Sequence, residues 1–237
     1  MTPARTIARA GMVRRATRED INALSEIMAY GLLAQPTAAW LVPDRAARAA
    51  VLRRYARLVL KRAMVEGQVD TLDGAEAVAV WYSRVQPPAP VDARGCDLQK
   101  VLGQYASRFA LLHAYVDALM PHTPHHVLAH LAVRPGQLGA VRALLTGYHH
   151  RLDVDGLPAY AEVSGAQPRE SVFARLGYEV RSPILLEPGG PMLWRMWRPG
   201  STGRRFDGLP CRVRTHRFTT PTPTPRSAVP ATSPRSP

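Results

Sequence analysis

Cysteine is scarce: Cys96 and Cys211 are the only two in 237 residues. They lie far apart with no C-x-x-C pair, which excludes a disulfide framework and a cysteine-based zinc module and suggests a reducing compartment. Long apolar runs are absent as well. None approaches the roughly 18 residues of a membrane span, and "AVLRRYARLVLKRAM" is interrupted by arginines at helical spacing, as an amphipathic helix requires. The opening "MTPARTIARAG" carries Arg5 and Arg9 but no continuous apolar segment, so no secretory signal is read there. Residues 1–11 read as a flexible leader, with Met12 a second candidate start. A cytoplasmic location without a membrane partner is expected. No Walker pattern, Rossmann GxGxxG, internal repeat or Ser-His-Asp arrangement is readable, so any nucleophile is expected to come from a substrate.

What is present is a 46% hydrophobic composition, enough for a substantial core, and a net charge of +13. The charge sits mostly in the ends. Residues 1–20 hold five arginines against Glu19 and Asp20, and residues 201–237 hold seven against Asp207, leaving +4 between them. The chain closes on "TTPTPTPRSAVPATSPRSP", whose prolines forbid helix and ladder alike, so residues 200–237 read as a disordered tail and residues 12–199 as one domain. A basic tail without aromatic platforms or a groove-filling helix attaches to polyanions without selecting a sequence, and no specific nucleic-acid partner is expected.

Within the domain, "MVRRAT" reads as a first strand, and Thr17 with Asp20 forms a capping box before Ile21, Leu24, Ile27, Met28 and Leu32 at helical spacing. "QPTAAWLVPD" reads as a loop with an exposed Trp40. A second helix starts at Pro43-Asp44 and carries Val51, Tyr55, Leu58 and Val59 on its apolar side. Asp73-Gly74 between "QVDTL" and "AEAVAVWYS" predicts a hairpin with a two-residue turn. A single helix is expected over Leu98–Leu119, then a strand "HHVLAHLAV", a Pro-Gly-Gln-Leu-Gly turn and a helix over Val141–Arg151. "LPAYAEVS" is a further strand, "PRESVFARLG" a short helix and "GPMLWRMWRP" a last strand. The glycines of the turn serve either a tight reversal or the approach of backbone amides to a phosphate at a helix N-terminus.

The strand, turn and helix from His126 to Arg151, followed by "GLPAYAEVS" and "RESVFARLGYEV", resemble the GNAT superfamily of acetyl-CoA-dependent N-acyltransferases. The resemblance covers nearly the whole ordered domain. It implies an α/β fold, a mixed and mostly antiparallel sheet flanked by helices with splayed central strands. It further implies direct transfer of an acetyl group from acetyl-CoA to a primary amine of a small molecule or peptide, and it leaves a homodimer open. The pantetheine arm would pair with backbone groups of Leu131, Ala132 and Val133 at the splayed edge. Gly136, Gln137, Leu138, Gly139 and Ala140 would then form the pyrophosphate turn, with Ser164 meeting pantetheine or capping the next segment. The turn is about two residues shorter than the family pattern. Either Arg142 compensates through its fork of donors or cofactor affinity is lower. Ala174 stands where the family often places a tyrosine that protonates the departing thiolate. A catalytically weak acyl-CoA-binding regulator is therefore the alternative to an enzyme.

His130 suits deprotonation of an ammonium, or equally a structural histidine satisfied by backbone, and alternation places it on the side of Leu128 and Ala132. Glu162 could hold the ammonium or relay its proton, or pair with an arginine. Tyr160 is a substitute proton donor beside His130. The "HTPHH" cluster, His122, His125 and His126, lacks converging ligand geometry, and no metal is expected. Trp40, Trp81 and Tyr82 line an acceptor pocket or belong to the core. Removing residues 201–237 is expected to abolish weak, salt-sensitive nucleic-acid binding, measured by titration at two ionic strengths, and to leave acyl-CoA affinity intact. A truncated domain that unfolds would show the boundary to be misplaced.

Overall fold

The chain enters its sheet through β1 (Val13–Arg15) and turns into α1 (Ile21–Leu33) at a junction tied by Asp20. The Asp20 carboxylate accepts from the Thr17 amide at 2.7 Å and from both terminal nitrogens of Arg14 at 2.8 Å. These bonds, Arg14 foremost, hold it well below the usual carboxylate range. The computed structural model describes residues 12–86, 92–164, 169 and 171–201; the expected leader and residues 202–237 of the expected tail lie outside these. Ser201 still belongs to the domain, since its hydroxyl donates to the Asp153 carbonyl at 2.5 Å.

A short α2 (Thr37–Leu41) precedes α3 (Arg45–Glu66), whose start is capped by Asp44 accepting from the Ala46 amide at 2.9 Å. Val51, Leu52, Tyr55, Ala56, Leu60 and Ala63 form its buried stripe, and Arg53, Arg54 and Arg57 between them face outward. There follow β2 (Gln68–Leu72), β3 (Ala77–Arg84), α4 (Asp92–Leu102), α5 (Ala106–Ala118), β4 (His125–Val133) and α6 (Leu138–Asp155). The domain closes with β5 (Ala159–Ser164), α7 (Val172–Arg175), β6 (Glu179–Leu185) and β7 (Met192–Arg198). The seven strands lie in the order β1-β2-β3-β4-β5-β7-β6, antiparallel except for the β4–β5 pair. α6 packs on one face, where Trp81 stacks on Tyr148 at 3.9 Å between ring centroids. α1 and α3 cover the other face over β2 to β4, and α2, α4 and α5 extend that layer toward β6 and β7.

Several expectations are corrected. Trp40 lies in α2 rather than in a loop and is buried, its indole N–H donating to the Pro188 carbonyl at 3.1 Å; an apolar "AAWLV" stretch beside Pro36 gains more from burial than from solvent. In the hairpin, Ala75 takes the left-handed φ of +48° and accepts the reversal, so the connection runs Asp73–Glu76 instead of turning on Asp73-Gly74 alone. The helix expected over Leu98–Leu119 breaks at Gly103 (φ +56°) into α4 and α5, although Leu98, Leu102, Ala106 and Phe109 remain on one buried stripe. α6 starts at Leu138, not Val141. β6 had no sequence signal because Pro183 interrupts it; as the edge strand it tolerates a residue without an N–H.

Gly31 of α1 is packed so closely on β4 that a Cβ there would lie 2.8 Å from the Cβ of Ala132. Gly→Ala in an unobstructed helix gains about 1 kcal/mol. Gly31→Ala is instead expected to lose about 1–3 kcal/mol through overpacking, read as a lowered Tm. A raised Tm would mean that α1 does not seat on β4 this tightly.

Candidate active site

β4 changes its partners at one point. Upstream, His126, Val127 and Leu128 pair with Ala159, Tyr160 and Ala161 of β5; downstream of Leu128 the two strands no longer pair. At the same place Trp81 pairs with Leu128 while Val80 pairs with His130, which leaves Ala129 as the extra residue of a β-bulge. The bulge shifts the alternation. Leu128 packs on the α6 side, whereas Ala129 and Ala132 pack against the α1–α3 layer, and His130 meets Tyr55 of α3 edge-on at 6.0 Å between ring centroids. His130 thus shares a side with Ala132, as alternation predicts, but not with Leu128.

The separation of β4 from β5 opens a cavity of about 820 Å³ on the α3 side of the sheet, well within the range of small-molecule sites. His130, Leu131, Ala132, Glu162 and Ser164 line it together. The other expected residues lie elsewhere. Val133 ends β4 beyond the cavity wall, followed by the turn and the first residues of α6. Gly136 takes a left-handed φ of +83°, so its glycine is required by the reversal; Gly139 does not, and a Cβ there would meet nothing within 4 Å. The fold itself has no need of a glycine at 139. Arg142 is exposed on α6 and in no ion pair among the described residues. Tyr160 is 1% exposed and sits behind the cavity wall, edge-on to His125.

Glu162 is the electrostatic focus of the cavity. Its Oε1 is buried without a hydrogen-bond partner, as is the Tyr160 hydroxyl. The two groups bias each other's ionisation while remaining outside hydrogen-bond geometry. Burial, the dominant cause, pushes the Glu162 carboxyl up to about 7, with Asp117 adding to the rise and Tyr160 and Arg195 opposing it. The structural pairing open to Glu162 is not made: Arg195 lies opposite it on β7 but donates to the carbonyls of Ser182 and Leu119 at 2.9 and 3.0 Å. His130 behaves differently. Burial, and then His113, pushes its pKa down to about 3, so the ring stays neutral and is a weak base. Tyr55, kept protonated by burial, shares a hydrogen bond of 2.9 Å with Nε2 of His113 beside it.

Ser164 donates to the side-chain oxygen of Gln35, tying the end of β5 to the end of α1 across the cavity mouth. Of the three aromatic candidates for the acceptor pocket, Tyr82 lines the cavity while Trp40 and Trp81 are core. Phe173 of α7 also lines it, one position before Ala174, and Tyr178 is turned away toward His149 at 3.0 Å. The "HTPHH" histidines diverge as neighbouring strand residues do: His125 bonds the Thr123 carbonyl and His126 the Tyr148 hydroxyl. Sequence reasoning missed His113 and Asp117. His113 had a detectable signal, being a titratable residue that continues the buried stripe through Phe109.

Comparison with solved structures places this geometry. The chain is similar to a protein described as histone acetyltransferase HPA2 and related acetyltransferase from Corynebacterium glutamicum, with a TM-score of 0.62 and 22% identity over 81% of this chain and 98% of that one. It is similar also to arylalkylamine N-acetyltransferase 2 from Aedes aegypti, with a TM-score of 0.55 and 11% identity over 81% and 99% of the two chains. The fold is the GNAT fold. No family model matches the chain, and no curated protein matches it in sequence. No helix among the described residues is long and apolar enough to cross a membrane.

Glu162 leaves a signature in stability. An acid whose folded-state pKa lies above its unfolded value makes the folded state bind more protons between the two, so its contribution falls as pH rises from 4.5 to about 7. Glu162→Gln is expected to become progressively more stable than the parent over that window, by up to about 3 kcal/mol above pH 7. Urea melts of both proteins at pH 4.5, 6 and 8 measure the difference. A difference independent of pH would place Glu162 in contact with solvent or a cation.

Proposed function

We propose that the chain is an acyl-CoA-dependent N-acyltransferase, with acetyl-CoA as donor, acting by direct transfer to a primary amine. The observation that carries this reading is the parting of β4 and β5 at Leu128 into a cavity whose wall holds a carboxylate, Glu162, with no cation partner among the described residues. The residues fit such a donor. Beyond Leu128, β4 keeps its ladder to β3 and β5 keeps its ladder to β7, so each presents an unshared backbone edge to the gap. An extended chain carrying amides satisfies such edges. Leu131, Ala132 and Val133 would hold that chain. Gly136, Gln137, Leu138, Gly139 and Ala140, with the α6 N-terminus and Arg142, would face the pyrophosphate. The donor supplies an acyl group on a thioester, which an amine can displace.

The remaining work falls to side chains and backbone of this protein. Glu162, with a pKa near neutrality, takes the proton of the incoming ammonium and leaves the free amine to attack. Tyr160 stands behind it as a positioning residue. His130, neutral throughout, orients the amine as a hydrogen-bonding group and does not carry the proton. Ala129, the extra residue of the bulge, would turn its backbone amide toward the acyl oxygen. Ala174 and Phe173 have no proton to give, so protonation of the departing sulfur is left to solvent. That feature and the short turn favour one other reading, an acyl-CoA-binding regulator with little turnover.

Titration calorimetry and thermal shift with acetyl-CoA test the binding, since a ligand bound only by the native state raises stability by mass action. Gly139→Asp is expected to abolish binding without unfolding the protein, because a carboxylate would face the phosphates while its Cβ meets no protein atom. Thiol release with amines is expected to rise with pH through about 7 and to fall about 100-fold or more in Glu162→Gln. No stabilisation at millimolar acyl-CoA would overturn the reading. Binding without amine-dependent thiol release would establish the regulator.

A further inference from the structure

The cavity is not lined by β4 and β5 alone: residues of α3 and α5 border it too. Leu58 and Val59 of α3, Leu112 and Val116 of α5, Met120 just after α5 and Tyr82 of β3 all line it. These aliphatic residues are partly exposed because they border the cavity, and an uncovered apolar lining of this kind marks a surface that a ligand completes.

Three carboxylates border the cavity: Glu66, Asp117 and Glu162. Glu66 meets Arg62 at 3.4 Å, and Arg62 also meets Asp97 at 3.4 Å; Asp117 meets Arg84 at 3.9 Å. Glu66, Asp97 and Asp117 are therefore each engaged by an arginine, with Arg62 shared between Glu66 and Asp97. Glu162 alone among the three bordering carboxylates has no cation partner among the described residues, and it lines the same cavity as His130. The cavity thus offers one carboxylate with no cation partner among the described residues, together with an apolar lining from α3 and α5.

We infer that the acceptor is a hydrophobic primary monoamine, a molecule with a single ammonium group for Glu162 and an aryl or alkyl body for the apolar chamber that α3 and α5 line. The inference rests on the acyltransferase reading and narrows its acceptor. A second ammonium would enter the apolar chamber and find only carboxylates already paired with arginine, at the cost of its own desolvation. A carboxylate on the acceptor would lie beside Glu162 and Asp117 with Arg62 and Arg84 engaged. A peptide N-terminus would bring unpaired backbone amides against Leu112 and Val116.

The test uses the full chain with acetyl-CoA and matched amines. KM is expected to fall about fourfold for each methylene from propylamine to hexylamine, the increment of one buried methylene. Pentylamine should surpass cadaverine, and 2-phenylethylamine should surpass phenylalanine and a glycyl peptide, each by at least tenfold in kcat/KM. Val116→Asp places a second carboxylate in the chamber; it should reverse the preference between pentylamine and cadaverine and leave the Kd for acetyl-CoA unchanged. If that variant does not fold, the parent series decides alone. A KM independent of chain length, or a diamine, amino acid or peptide preferred over its matched monoamine, overturns the inference. If the protein proves to bind acyl-CoA without turnover, the acyltransferase reading fails separately; the same rank order is then expected in the thermal stabilisation given by the amines themselves, and its absence overturns the inference.

Discussion

Leu128 is the last residue of β4 to hold its place in two ladders at once, opposite Trp81 on one side and Ala161 on the other. Immediately after it the strand bulges at Ala129 and loses β5. Both events have the same physical consequence: backbone groups that a sheet interior would pair are left facing a gap, a condition tolerated only at an edge or beside a ligand. The bulge also turns His130 toward α3, away from the α6 layer that holds Leu128. Without that one-residue insertion, His130 would lie under α6 and Leu131 would face the cavity's α3 side. The close seating of Gly31 on Ala132 fixes the wall opposite the gap.

Around this opening the protein arranges charge economically. Arginines and acids at the border pair among themselves, and exposed or half-exposed pairs of this kind contribute little to stability. Glu162 is different, since its burial is compensated neither by Arg195 nor by a full hydrogen bond from Tyr160. A carboxyl so placed spends part of its time protonated near neutral pH, which is a disadvantage to folding and the property that a general base working at that pH needs. His130 meets the opposite outcome in the same cavity because desolvation acts against a charged imidazole just as it acts against a charged carboxylate.

Much of the fold was legible. The capping box at Thr17, the stripe on α3, the paired strands about Asp73 and the strand–turn–helix around Pro135 are local patterns whose periods survive into the folded chain. The misreadings came where tertiary contact decided: Trp40 was drawn into the core by the Pro188 carbonyl, the long helix broke where Gly103 could take a left-handed turn, and β6 formed in spite of Pro183 because β7 offered it an edge. In the site, His130, Leu131, Ala132, Glu162, Ser164 and Tyr82 share the cavity, whereas Tyr160, Val133, Trp40, Trp81 and the turn after β4 do not border it. Alternation failed for His130 and Leu128 because a bulge is a property of two strands and cannot be seen in one.

The sequence by itself determined the order of the elements other than α2 and β6, the caps at Thr17 and Asp44, the concentration of charge at the ends and the lack of a readable Ser-His-Asp pattern, since each follows from neighbouring residues alone. Only the tertiary structure decided which groups meet. His113 reaches Tyr55 across 58 positions of chain, Arg195 is taken by Ser182 and Leu119, and Glu162 has no cation partner among the described residues. Burial and charge compensation are sums over everything packed around a group, so the ionisation of Glu162 and the neutrality of His130 exist only once α3, α5 and the parted strands enclose them.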